Sequence, residues 1–310
     1  MVDATAGTPH RSSLWCSRLA VFAAVMIAVA VLLHRFFGLP TAVAMNVVAA
    51  GFALAALALV LGLGGIIGIW RTGRPGAARI GFGMVLALMI LSVPFSVGLL
   101  ARSYPLLNDV TTDTANPPEF RTLATARSGR ANPAKYPGSG FAAVQTESYP
   151  DLKPLDVNRP PAETFDLVLE VLKKLQLTIV AEEEPTEENA IGRAEAVDRT
   201  LILGFYDDVA VRVTPIGDPD APQSRIDLRS ASRYGRSDFG ANAQRMRDMM
   251  REIVARLEAT VPAPGDAPAA GAKKLKPGKN ADREKAGGRT SRDDARSNTR
   301  RAPERRVPPP

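Results

Sequence analysis

Apolar residues dominate three stretches in the first third of the chain, 19–33, 41–70 and 80–101, and nowhere later do they run so long. A spanning helix needs about 20 mostly apolar residues, so the second and third stretches qualify outright. The first holds 15 apolar residues and extends upstream to Leu14 across Arg18, whose charged end can reach the interface. The pattern predicts transmembrane helices at about 14–33, 44–68 and 80–101. A signal peptide cleaved near Ala42-Val43-Ala44 is the competing reading for residues 1–44, and the spans that follow favour retention. Gly64 and Gly68 stand at small-xxx-small spacing and predict close helix contact. Asn46, strongly polar within its apolar stretch, is expected to hydrogen-bond between helices.

Beyond Ala101 the pattern changes. Residues 102–160 show neither helical nor alternating period, are punctuated by proline, and read as a segment wrapped over a domain surface. Pro161 then opens a helix with Phe165, Val168, Leu169, Leu172 and Leu175 on one face. LTIVA (177–181), AIGRAEAV (190–197), TLILGF (200–205), DVAVRVTP (208–215) and SRIDLRSA (224–231) read as strands. A last helix over about 238–258 carries the stripe Phe239, Ala243, Met246, Met250, Ile253 and Leu257. The fold class is therefore α+β: three transmembrane helices, then an antiparallel sheet with its helices on one face.

Alternation also sets a register. Val209, Val211 and Val213 share one strand face, as do Ile226 and Leu228, so apolar meets apolar when Val213 faces Ile226. The same register sets Arg212 against Asp227 as a cross-strand ion pair. It also brings Asp207 and Asp208 to the end of the sheet where the polar stretch SASRYGRSDFGAN (230–242) begins.

Charge bears on topology and on the tail. Arg11 and Arg18 precede the first span and Arg71, Arg74 and Arg79 lie between the second and third. Positive-inside bias places the N-terminus in the cytoplasm and everything after the third span outside, on the periplasmic face of the inner membrane. The domains expected are an anchor over 1–103, an extracytoplasmic domain over 104–258 and a basic Pro/Gly/Ala-rich tail over 259–310. Residues 261–310 hold 13 Lys/Arg against 6 Asp/Glu, so the tail accounts for the whole chain's net charge of +7. Such a segment is expected to be disordered and to bind anionic lipid or an envelope polymer. Nucleic acid would become a partner only were the tail cytoplasmic.

Chemistry is constrained mainly by what the chain does not contain. Its two histidines, His10 and His34, precede the domain, and its one cysteine, Cys16, lies near the first span. Histidine-based triads and His-ligated metal sites are therefore not expected in the domain, nor is any cofactor. The candidate polar cluster is Asp207, Asp208, Ser230, Ser232, Arg233, Ser237, Asp238 and Asn242. It admits two readings, a ligand site or a corner in which Ser237 or Asp238 caps the last helix and arginines pair with acids.

FYDDVAVRV (205–213) and IDLRSASRYGRSDFGANAQRMR (226–247), with NDVTTD and YPDLKP upstream, resemble the domain-of-unknown-function family 1499 over about 104–258. The resemblance implies a domain found in bacteria and plants, sometimes behind membrane helices, with no established activity. The function expected is an envelope binding or scaffold domain held in the membrane, its partner an unidentified envelope protein or ligand. A carboxylate-dependent hydrolase or a transporter accessory subunit are the alternatives.

Overall fold

The computed structural model describes residues 11–127, 129–217 and 222–259; the basic tail therefore lies outside the described residues. Three long helices come first: α1 (Arg11–Phe37), α2 (Thr41–Thr72) and α3 (Ala77–Leu100). Each is long and apolar enough to cross a membrane. They pack on one another through small residues. Ala20, Ala23, Ala55, Ala58 and Ala87 form the seam. A Cβ on Gly83 would lie 2.7 Å from Cys16 Sγ and 2.9 Å from the α1 backbone, so only glycine permits that approach. The expectation for Gly64 is not met, since a Cβ there would meet nothing within 4 Å. The close approaches on α2 fall instead at Gly51, Gly62 and Gly65, which face the neighbouring helices while Gly64 faces outward.

The remaining elements are β1 (Asp109–Thr111), α4 (Ser139–Ser148), β2 (Leu155–Val157), α5 (Pro161–Lys174), β3 (Thr178–Glu183), β4 (Gly192–Arg199), β5 (Tyr206–Ile216), β6 (Gln223–Ser232) and α6 (Ala241–Ala259). Strands β1-β6-β5-β4-β3 form an antiparallel sheet, and β2 pairs with the far end of β6. The β5–β6 register is the one that alternation demands, with Val213 opposite Ile226 and Val211 opposite Leu228. Those side chains and Val209 face α5 and α6, where Phe165, Val168, Leu172, Met246, Met249 and Ile253 complete the core. On the opposite sheet face Ala210, Ala231 and Val197 are covered by Phe120 and Leu123, from the segment between β1 and α4.

That segment is pinned by buried charge. Arg229 donates to both oxygens of Asp109 at 2.9 and 2.7 Å and to the carbonyls of Pro118 and Ala134, beneath the Phe120 ring. Glu195 accepts from the backbone N–H groups of Arg121, Thr122 and Leu123, capping the 3₁₀ turn Leu123–Ala126 from across the sheet. The proline-rich region does wrap the surface, but it also contributes β1, β2 and α4. Strands of three residues are too short to show a period.

Two further expectations change. TLILGF is not a strand. It is the β4–β5 turn, closed by Thr200 N–H to the Phe205 carbonyl at 2.9 Å and Phe205 N–H to Thr200 Oγ1 at 2.8 Å. Gly204 takes φ +75° there, which glycine permits without strain. The last helix begins three residues later than its apolar stripe implies, because Phe239 (φ +54°) and Gly240 (φ +80°) are left-handed. Phe239 packs edge-on to Tyr104 instead of joining the helical stripe.

The domain sits directly on the bundle. Arg199 donates to the carbonyls of His34 and Arg35 at the end of α1, and Arg35 donates back to the Thr200 carbonyl. Asn46 of α2 accepts from Arg130 at 2.9 Å, so its partner is in the domain and not another helix.

Candidate functional site

The polar stretch begins at the end of β6, where the sheet's pleat divides it. Asp207, Ser230 and Ser232 lie on the helix-covered face with the valines; Asp208 and Arg233 lie on the other. The two aspartates thus meet the polar stretch at one end of the sheet, but on opposite faces.

On the helix side, Arg245 of α6 reaches Asp207 at 2.7 Å and Asp198 at 2.7 Å. It also donates to Ser230 Oγ and Asn242 Oδ1. Asn242 accepts from Ser230 Oγ at 2.7 Å and donates to Ser232 Oγ at 3.0 Å and to the Asn108 carbonyl. Asp238 accepts from the N–H groups of Gly240 and Asn242, holding the entry to α6. Burial pushes its carboxyl up, and those hydrogen bonds oppose the shift. Ser237 donates to the Pro105 carbonyl and tethers the chain that leaves the bundle.

On the other side Asp208 is fully buried. Its two oxygens accept from Arg127 Nε at 2.8 Å and Arg233 Nε at 2.9 Å. Burial raises its carboxyl above the ordinary value against the pull of both guanidiniums. Arg127 also donates to the Ala231, Asn132 and Pro133 carbonyls, and Arg233 lies 5.2 Å from the Tyr206 ring centroid. Each carboxylate in the stretch is tied to a guanidinium or to helix-entry N–H groups. Chemically the stretch is a polar lock joining sheet, α6 and the segment after the bundle.

A second constellation lies farther along the strands, on the face away from the helices. A cleft of about 430 Å³ opens there between the segment after β1 and the sheet, lined among others by Asp113, Arg121, Arg193, Arg212, Arg225 and Asp227. Arg212 and Asp227 form the cross-strand pair that the register implies. Arg212 donates from Nε at 3.2 Å and from its terminal nitrogen at 2.8 Å, and both bonds fall on the same oxygen, Oδ2. That terminal nitrogen also reaches Asp113, whose other oxygen caps the N–H groups of Ala115 and Asn116.

Asp227 Oδ1 is therefore left buried without a hydrogen-bond partner among the described residues. Asp227 is only 1% exposed, and burial pushes its carboxyl up. Read from sequence, Asp227 is half of an ion pair, and that reading misses Asp113 and Arg193. The signal that could have found them is the charged alternation Arg225-Asp227-Arg229 opposite Ile226 and Leu228. A charged strand face beneath a covering segment is a buried charged face. Among the described residues no group of three or more His, Cys, Asp or Glu side chains is arranged to hold a metal ion.

Comparison with known proteins adds a family. A crystal structure of TTHA0849 from Thermus thermophilus matches 35% of this chain and 97% of its own at 15% identity and a TM-score of 0.21, too low to carry an argument. No curated protein matches the chain. The profile described as "Protein of unknown function (DUF1499)" matches residues 109–253, which include the whole sheet and most of α6. Over residues 109–253 the chain therefore belongs to the DUF1499 family, set behind three helices long and apolar enough to span a membrane.

Proposed function

We propose that the domain is a binding module presented on the extracytoplasmic face of the inner membrane, and that its ligand seat is the charged cleft. The observation that carries this is Asp227, which lines a cleft of arginines and carboxylates and whose buried Oδ1 has no partner among the described residues. A buried acceptor without a donor costs about 1–3 kcal/mol, and a bound hydroxyl or ammonium supplies the missing donor. Guanidiniums and carboxylates alternating on one wall suit a small polar, hydroxyl-rich molecule such as an amino sugar. Binding is favoured over hydrolysis because Asp207 and Asp208 are each held by arginine.

Native mass spectrometry of the full chain against a panel of amino sugars and their disaccharides tests this. A 1:1 adduct is expected, lost in Asp227→Ala and in Thr214→Trp, which blocks the cleft wall without touching the core. No adduct at millimolar sugar, or one indifferent to both substitutions, overturns it.

The arginines at 71, 74 and 79 support the sidedness. An alkaline phosphatase fused after residue 258 is expected to be active. An inactive phosphatase there, with a fluorescent protein that glows, reverses the topology.

A further inference from the structure

A second cavity lies where the domain meets the bundle, and it differs in character from the cleft. Its volume is about 650 Å³ and its walls are mostly apolar, with Met45 of α2 on one side, the β4–β5 turn on another, and Phe239 and Ala241 at the entry to α6 behind. The tip of the turn is exposed: Leu201 by 84% and Ile202 by 79%. Two adjacent, large, exposed aliphatics on a tight turn are costly in water. The cost vanishes if they do not face water.

The height of the turn says what they face. Its base is bonded to the carbonyls at the end of α1 by Arg199, and Arg35 bonds back to it. Met45 lies four residues into α2, roughly 6 Å along the axis at ~1.5 Å per residue. Helix α2 has 32 residues, close to 48 Å at that rise, against a hydrocarbon core of ~30 Å. Centred upright in the bilayer, α2 would project about 9 Å at each end, which would put Met45 and the turn near the layer between headgroups and acyl chains. Tyr104, which packs on Phe239, and Tyr206, which lines the cavity, stand nearby, as interfacial aromatics do.

We propose that the Leu201–Ile202 tip enters the adjoining leaflet and that the cavity behind it seats an acyl chain of a phospholipid from that leaflet. Met45 of α2 lines the cavity and is itself 44% exposed, which gives a chain a sideways route in from the helix surface. The proposal requires neither a ligand in the charged cleft nor a particular side of the membrane.

The test uses the full chain in nanodiscs with Trp15 and Trp70 replaced by Phe. A single tryptophan is placed at the tip (Ile202→Trp), in the cavity (Phe239→Trp) or, as control, in the distant charged cleft (Ile191→Trp). Phosphatidylcholine brominated on its acyl chains should cut emission from the first two by about half or more, as contact with chains at the interface requires, and leave the control unchanged. Adding Ala241→Phe, which fills the cavity, should restore emission at 239 and leave quenching at 202 intact. Unquenched emission at 202 overturns insertion of the tip. Quenching at 202 with none at 239, or quenching at 239 that Ala241→Phe does not relieve, overturns the acyl seat.

Discussion

Replacing Asp208 with alanine should cost about 3–5 kcal/mol, lowering the thermal midpoint of the domain by ~10 °C or more. The reason is not loss of two attractive contacts but the two cations left behind. Arg127 and Arg233 have side chains that are 2% and 0% exposed, and both turn toward Asp208. Without it, their charge stays in a place water does not reach. Asp208→Asn should be nearly as damaging, since the amide keeps the shape but not the charge. Glu183→Ala is the matched control, because its partners Arg121 and Arg193 are 48% and 25% exposed and already reached by water. The full chain in detergent, followed by near-ultraviolet circular dichroism on heating, reads all three. Equal midpoints for Asp208→Ala and Glu183→Ala would show that the buried lock contributes nothing.

Phe165→Ala should cost a similar ~3–5 kcal/mol by opening a cavity in the core between α5 and the sheet. Phe165 is fully buried, and Gly192 at the start of β4 lies directly beneath its ring. A Cβ on Gly192 would stand 2.7 Å from Phe165 Cδ2. The two positions are therefore coupled. Gly192→Ala alone should destabilise, because the ring must shift. In the Phe165→Ala background the same methyl enters vacated space and should be neutral or mildly stabilising. A double-mutant cycle in urea measures this, and strict additivity of the two losses would contradict the packing described.

Several features of this architecture could be read from residues alone, for reasons that identify what could not. The three long apolar helices and the β5–β6 register were legible because each rests on a long repeated pattern: hydrocarbon-length runs in one case, paired valine alternation in the other. TLILGF misled because its apolar residues suit a membrane surface as well as a strand, and only the position of the turn against α1 distinguishes them. The start of α6 misled because a non-glycine residue, Phe239, takes a positive φ, which composition does not announce.

For the candidate residues, sequence placed Asp207, Asp208 and the polar stretch at one end of the sheet, but neighbours on a strand point to opposite faces. Applying to the acids the alternation used for the valines would have separated them. The unpaired oxygen of Asp227 could not be foreseen. It depends on Arg212 placing both bonds on one oxygen, a matter of side-chain geometry rather than residue identity.

The bonds from Arg199 and Arg130 to the bundle fix one end of the sheet, and the strands measure distance from it. From the Arg199–Tyr206 pair to the Gly192–Val213 pair, β4 and β5 advance seven residues, about 23 Å at ~3.3 Å per residue. The charged cleft is at the far end of that span, so its distance from the bundle contact is set by strand length and not by a linker. For a ligand of the proposed cleft tethered beside the bundle, a stem much shorter than this would fall short, and a longer stem, or none, would reach it.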